Sequence, residues 1–516
     1  MKQHYHPLVP LCLLFSGMLS SCAHKPARKE AERPNIVFIM SDDHAYQAIS
    51  AYGYGLNHTP YIDSLAREGI LFKHAFVNNS LCAPSRAAIL TGKYSHQNGL
   101  PGNGNEVFDG SQATFPKLLQ QAGYQTAMIG KWHLVSYPTG FDYWNILPAQ
   151  GDYYNPDFIS NGDTTRVNGY VTDLTTDFAL KWLDQRDTTK PFCALIWNKA
   201  PHRDWMPAIK YLHAFDSAAI PLPSTLFDDY STRTAAARKQ KMEISKWLSP
   251  NYDLKEDLAA SPPAKRYDEL WKNVFGRLSP EEKQAFMDAY GPKNEAFRKA
   301  RLTGKELTIW KYERYVKDYL RVVQSVDDNV GRVMQYLKAH GLDKNTIVIY
   351  TADQGFFMGE HGWFDKRFMY KESFRTPLIM RWPAVIKPGQ VNTDAVMNMD
   401  IAETLLDAAG VQVPADMQGA SLLPILEGKK PADWRKFVYY HYYESGGEHN
   451  VAKHIGIRSD RHKLIYFYEN KVWELYDMKE DPNEVKNVYG NPGYKNVQEF
   501  MKRELWIQMK KYKDSI

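Results

Sequence analysis

The run Asn35-Ile36-Val37-Phe38-Ile39-Met40, closing on Ser41-Asp42-Asp43, decides the architecture of this chain. It is apolar and rich in β-branched residues without polar alternation, the pattern of a strand buried on both faces of a parallel sheet. The acids stand at its carboxyl end, where open α/β sheets gather their ligands. The same grammar returns three times. Thr126 to Ile129 leads into Gly130-Lys131-Trp132-His133, Phe192 to Trp197 into Asn198-Lys199-Ala200-Pro201-His202, and Thr346 to Thr351 into Ala352-Asp353-Gln354-Gly355. Helix-period segments lie between them, at Thr59 to Gly69, Phe115 to Gly123 and Tyr315 to Gly341. Alternation of this kind predicts an α/β fold with a doubly wound sheet.

Residues from about 225 to 315 are charged and helix-prone. They read as an insertion covering one edge of the sheet, with its Lys/Arg-rich parts as solvated helix faces. From about residue 431 short strands follow one another, at Phe437 to Tyr443, Ile455 to Arg458, Lys463 to Tyr468 and Val472 to Tyr476. They predict a small antiparallel sheet and then a terminal helix from about Asn496. The expected division is 34–430 for the α/β body and 431–516 for a C-terminal α+β subdomain.

The first 22 residues differ. Lys2 precedes an apolar run from Leu8 to Leu19, too short to span a bilayer and shaped like a signal peptide. Leu19-Ser20-Ser21-Cys22 resembles a bacterial lipobox, which makes Cys22 the acylated mature N-terminus and 23–33 a flexible tether. No acidic cluster of the kind found in surface-exported lipoproteins follows Cys22, so a periplasmic lipid anchor is expected. Net charge is only +5, on 64 basic and 59 acidic residues, so nucleic acid is not an expected partner and the membrane is met only through the anchor.

Cysteine usage sharpens the chemistry. Cys12 falls in the signal and Cys22 at the lipobox, leaving Cys82 and Cys193. Cys193, in Pro-Phe-Cys-Ala-Leu-Ile-Trp, reads as a buried small hydrophobe. Cys82 stands in a polar loop ahead of a helix, and an unpaired cysteine there calls for a chemical reason. The paired ends Asp42-Asp43 and Asp353-Gln354 offer hard oxygen ligands, suited to Ca²⁺ or Mg²⁺ rather than zinc. One Asp-Asp alone is a turn or a cap; two acidic strand ends in one α/β pattern are not so easily dismissed.

Cys82-Ala83-Pro84-Ser85-Arg86, followed by Leu90-Thr91-Gly92, resembles the signature of the sulfatase family. The resemblance spans nearly the whole chain from Asn35 and implies an alkaline-phosphatase-like α/β fold, a large mixed sheet flanked by helices with a smaller C-terminal antiparallel sheet and helix. It implies that a maturation enzyme oxidises Cys82 to formylglycine (3-oxoalanine), whose hydrate carries two hydroxyls on one carbon. One hydroxyl attacks sulfur and the other lets the sulfated intermediate collapse, so one hard substitution becomes two easier steps. It further implies Ca²⁺ held by Asp42, Asp43, Asp353, Gln354 and the oxidised Cys82, though the family usually has Asn or His where Gln354 stands. Arg86 would stabilise the ionised diol, and Asp353 stands to assist its deprotonation. Lys131 and Lys366 would hold the sulfate, His133 would sit beside the diol, and His202 would protonate the leaving oxygen.

Tyr137 to Trp144 and Gly359 to Arg367 look most like bacterial N-acetylglucosamine-6-O-sulfatases. The expected substrate is a sulfated sugar of heparan-type glycosaminoglycans or mucin glycans, attacked at chain ends, with Asp365 and Arg367 gripping sugar hydroxyls and His454 closing the pocket. The rivals are a sulfatase of another specificity, a phosphoesterase or phosphonate hydrolase of the same superfamily, and a glycan-binding lipoprotein without catalysis. The last expects damage in the metal or cation set, and every position there is chemically serviceable.

Overall fold

The computed structural model describes Met1 and residues 33–104, 106–256 and 266–516. The expected signal, Cys22 and nearly all of the tether therefore lie outside the described residues. Among the described residues no helix is long and apolar enough to cross a membrane.

The large sheet is built from β1 (Asn35–Ser41), β2 (Ile70–Phe76), β3 (Gln125–Lys131), β4 (Tyr143–Leu147), β5 (Asp157–Ser160), β6 (Asp163–Arg166), β7 (Phe192–Asn198), β8 (Thr346–Ala352), β9 (Arg375–Arg381), β10 (Gln390–Asn392) and β11 (Val396–Met397). Its order is β10-β2-β9-β8-β1-β7-β3-β4-β5-β6, with β11 also on β2. The five central strands, β8-β1-β7-β3-β4, run parallel. β9 turns antiparallel on one flank, and β5 and β6 on the other, so the sheet is mixed. β1 is buried on both faces as its composition requires. Val37 and Ile39 feed one core, and Ile36, Phe38 and Met40 the other.

The helix expected from Tyr315 begins earlier and runs Gly304–Ala339. Tyr312, Tyr315, Tyr319, Val323, Val326 and Val330 recur three or four residues apart and bury one stripe against the sheet. The insertion departs from expectation. Arg277 meets Asp157 on β5, next to the edge strand β6, while Ile244, Leu248, Leu254 and Phe286 pack into the same core as the long helix. Its basic residues are not all solvated. Lys255 is fully buried, and Lys272 and Arg277 line the main cavity.

A second sheet, β12 (Val438–Tyr442), β13 (His454–Arg458), β14 (His462–Phe467) and β15 (Val472–Asp477), is antiparallel throughout, and the helix Lys495–Lys511 packs on it.

Candidate functional site

Register brings the strand ends together. Ser41 pairs with Ala352 on one side and Asn198 on the other, so the residues that follow leave the sheet at one level. Asp353 N–H donates to the Ser41 carbonyl and Asp42 N–H to that of Ala200, both at 3.3 Å. Asp42, Asp43, Asp353, Lys131, His133 and His202 thus converge from four neighbouring strands. Asp43 and His133 hold φ of 63° and 57°, and Asp365 and Arg367 hold 74° and 98°. Left-handed backbone at non-glycine residues is costly and gathers at functional sites.

Cys82 opens the helix Cys82–Thr91 and is wholly buried. The positive end of the helix dipole therefore lies at Cys82, which favours an anion there. Asn103 Oδ1 takes the N–H of Ala83 at 3.0 Å, steadying that first turn. Cys82 Sγ lies 3.9 Å from Asp43 Oδ1 and 3.9 Å from Gln354 Nε2. Burial pushes the thiol up to about 12, so as a plain cysteine it would offer almost no thiolate at neutral pH. Arg86, one turn on, forks onto Asp353 Oδ2 at 3.0 and 2.9 Å and also donates to the Lys131 carbonyl.

Oxygen atoms of Asp42, Asp43 and Asp353 lie within 4.8 Å of one another, and all three side chains are buried. Burial, helped by Asp353 and Asp365 and opposed by Lys366, raises the Asp43 carboxyl to about 7. Asp42 Oδ1 and Gln354 Oε1 are buried without a hydrogen-bond partner. Three crowded carboxylates and an orphaned amide oxygen are the donor set of a hard divalent cation. Gln354, the expected odd member, stands in that set, its amide nitrogen donating to Asp43.

The cations ring this floor. Lys366 Nζ reaches both oxygens of Asp43, at 2.5 and 2.6 Å, and Lys131 Nζ meets Asp42. Burial works against the charge on Lys366, but Asp43, Cys82 and Asp365 outweigh it and hold the ammonium above its ordinary value. His202 Nε2 lies 3.7 Å from Asp43 Oδ2, while its Nδ1 faces the Arg203 carbonyl at 2.6 Å. Burial, with Lys131, Lys366 and Lys199, pushes His202 well below its ordinary pKa. The resting ring is therefore neutral, with Nδ1 the donor, and an anionic group arriving at Nε2 is what would raise it. His133 is lowered in the same way and meets Gln150 through Nε2 at 2.9 Å.

Above the floor opens a cavity of about 880 Å³, walled by Asp365, Lys366, Arg367, Lys199, His202 and residues of the insertion. Asp365 accepts from His449 at 3.1 Å, and Arg367 donates to Glu444 at 3.1 Å. Burial disfavours the Asp365 carboxylate, yet His449, Lys366 and Arg367 hold it well below the usual range.

His454 is a correction. It is fully buried on β13, stacked on Phe368, Tyr440 and Tyr442, its Nε2 accepting from Met369 N–H at 3.2 Å and its Nδ1 set against the Ala452 carbonyl. Both nitrogens are spent on the backbone, and the ring does not line the cavity. The C-terminal histidine at the site is His449, five residues earlier. Gln150, Asn103, Lys199, Glu444 and His449 were missed as site residues. Lys199 alone carried a signal, standing beside His202 at a strand end; the others arrive on loops with no motif.

The sulfatase family model matches residues 34–411, and that of the N-sulphoglucosamine sulphohydrolase C-terminal region matches 359–511. The chain is 50% identical over 518 residues to an N-acetylglucosamine-6-O-sulfatase of Bacteroides thetaiotaomicron, covering 98% of this chain and 91% of that protein. It is 30% identical over 442 residues to the N-acetylglucosamine-6-sulfatase of Homo sapiens, covering 80% and 68%. A solved structure in complex with its substrate D-glucosamine-2-N,6-O-disulfate superposes with a TM-score of 0.89 at 50% identity, over 93% of this chain and 98% of that one. Fold, signature and floor agree with these matches, and the chain belongs to the sulfatase family of sulfuric ester hydrolases.

Proposed function

We propose that the chain is an exo-acting N-acetylglucosamine-6-O-sulfatase, releasing sulfate from terminal 6-sulfated glucosamine units of heparan-type or mucin glycans. The observation that carries the choice of sugar is the 50% identity, over 98% of this chain, to a relative of that name. The sulfatase family works with formylglycine and a divalent metal; here Cys82 is the residue converted, by a separate maturation enzyme, and Ca²⁺ the metal. Asp42, Asp43, Asp353 and Gln354 would hold the cation, which would supply positive charge to the sulfate oxygens and the nucleophilic oxygen.

The chain's own residues do the rest. Lys131 and Lys366, whose ammonium groups lie at the floor on Asp42 and Asp43, bind the sulfate oxygens. Arg86 holds Asp353 toward the nucleophile, where that carboxylate can take a proton, and His133 flanks it. His202 Nε2 gives a proton to the bridging oxygen, so the sugar leaves as an alcohol. Asp365 accepts from sugar hydroxyls and Arg367 donates to them. A lipid on Cys22 would tether the enzyme in the periplasm.

The test is sulfate release from mono- and disaccharides sulfated at defined positions, with a phosphate monoester beside them. Highest kcat/KM on glucosamine 6-sulfate is expected. Preference for a 2-sulfated uronate or a 4-sulfated galactosamine would overturn the sugar, and preference for the phosphate ester would overturn the reaction.

A further inference from the structure

The insertion meets the strand-end floor at the segment His202-Arg203-Asp204. His202 Nδ1 donates to the Arg203 carbonyl at 2.6 Å, so the direction of Nε2 follows from where that carbonyl lies. β7 has already ended at Asn198, and from the strand end only the Lys199 ammonium reaches that carbonyl, at 3.4 Å. The insertion fixes the chain on either side of it. The Arg203 guanidinium, with only 6% of the residue exposed, forks onto Asp253, Nε to Oδ1 and one amino group to Oδ2, both at 2.6 Å. Its other amino group reaches Glu448 at 2.9 Å and the Tyr267 hydroxyl at 3.1 Å. Asp253 is fixed in turn by the Ser249 N–H at 2.6 Å. One residue further, the Asp204 carbonyl accepts from Lys255 Nζ at 2.9 Å. Asp253 and Lys255 therefore grip the chain on both sides of the carbonyl that aims the imidazole.

The chemistry makes that aim matter. A two-pronged guanidinium–carboxylate contact fixes angle as well as distance. Loss of the Asp253 charge leaves the buried guanidinium with Glu448 alone, on one side, free to draw the segment away. Displacement of a catalytic group by about 1 Å can cost about 10²-fold in rate.

We propose that Asp253, assisted by Lys255, is a positioning residue for His202. The insertion holds the Arg203–Asp204 peptide so that a proton taken up from solvent at Nε2 when the anionic sulfate binds passes to the bridging oxygen, while the nucleophilic oxygen bonds to sulfur, the S–O bond breaks and its electron pair stays on the bridging oxygen. This rests on the role given to His202 under Proposed function.

The test is a double-mutant cycle in the converted full-length enzyme: His202→Ala, Asp253→Asn and the pair, with Asp253→Glu as the conservative variant. Sulfate release is followed on glucosamine 6-sulfate, or on whichever sulfated sugar the unaltered enzyme turns over. Asp253→Asn should lower kcat about 30-fold with KM within about 3-fold, Asp253→Glu should recover most of that loss, and Asp253→Asn should cost nothing further once His202 is alanine. If Asp253→Asn folds and keeps kcat, or if its loss is undiminished in the His202→Ala background, the positioning role is wrong and the acid role of His202 stands. If His202→Ala itself keeps kcat, the acid role is wrong. Should Asp253→Asn fail to fold, Lys255→Met, which leaves the Arg203–Asp253 fork in place, goes through the same cycle with the same criteria.

Discussion

The ends of the central strands and the small C-terminal sheet both bury histidines, and they use them in opposite ways. His202 and His454 are each driven below their ordinary pKa by burial. His454 has both nitrogens on the backbone and rings against its faces, so its burial is complete and it is part of the packing. His202 has one nitrogen on a carbonyl and the other facing a carboxylate 3.7 Å away, beside a cavity. The same contrast runs through both regions. The floor keeps Asp42 Oδ1, Gln354 Oε1 and His133 Nδ1 without hydrogen-bond partners. In the small sheet Glu474 takes Tyr370, Tyr476 and the Thr234 N–H, and Lys463 donates to the Met369 carbonyl. Burial alone therefore does not mark a functional residue; the floor is marked by unsatisfied oxygens crowded among charged groups beneath a cavity.

Five measurements would sharpen or break that contrast. Cys82→Ala should abolish sulfate release, by about 10⁴-fold or more, with the fold and the four other metal ligands kept. Residual turnover within tenfold of the unaltered enzyme would remove Cys82 from the chemistry. Chelation should come next, cutting activity about 10²-fold or more and lowering the melting temperature by about 5 °C.

The pH dependence of that shift follows from Asp43. Its carboxyl is raised to about 7, so the metal-free protein holds a proton there that the unfolded chain has already lost, and its stability falls as pH rises from the ordinary carboxylate range to about 7. The cation must displace the same proton, so its affinity rises over that range. The gap between loaded and chelated melting temperatures should widen from pH 5.5 to 7.5; a constant or narrowing gap counts against the assignment. Arg367→Ala should raise KM for glucosamine 6-sulfate about tenfold with kcat nearly unchanged, and an unchanged KM would take Arg367 out of sugar recognition. His454→Phe is the smallest in activity. It strands the Met369 N–H, costing about 1–3 kcal/mol of stability, while kcat/KM stays within about 3-fold. A large rise in KM at unchanged stability would return His454 to the pocket.

The floor was legible because its residues sit where regular strands stop, and an apolar run announces its own end. β1, β3, β7 and β8 could each be read from composition, and the residues after them inherited a place. The rim was not legible. His449 and Glu444 lie in a loop between β12 and β13, and a strand-borne histidine such as His454 gives no sign of which way it faces. The insertion misled for a related reason. Its charged residues look solvated one by one, yet Lys255 is buried against Asp318 of the long helix and Arg314 against the amide oxygen of Asn294. Periodicity reports a helix's faces, not the neighbour each face meets.

The place of β1 in the sheet has a consequence for synthesis. Its neighbours are β7 and β8, which begin at residues 192 and 346, so the central apolar strand leaves the ribosome long before either partner exists. Until Ala352 has emerged the parallel core cannot close, and pairings so distant in sequence form slowly. Over the same interval the segment around Cys82 lacks the walls that later enclose it, since Asp353, Gln354 and Lys366 are not yet in place. The topology thus opens a period of nascent-chain accessibility for a thiol that the finished protein seals off.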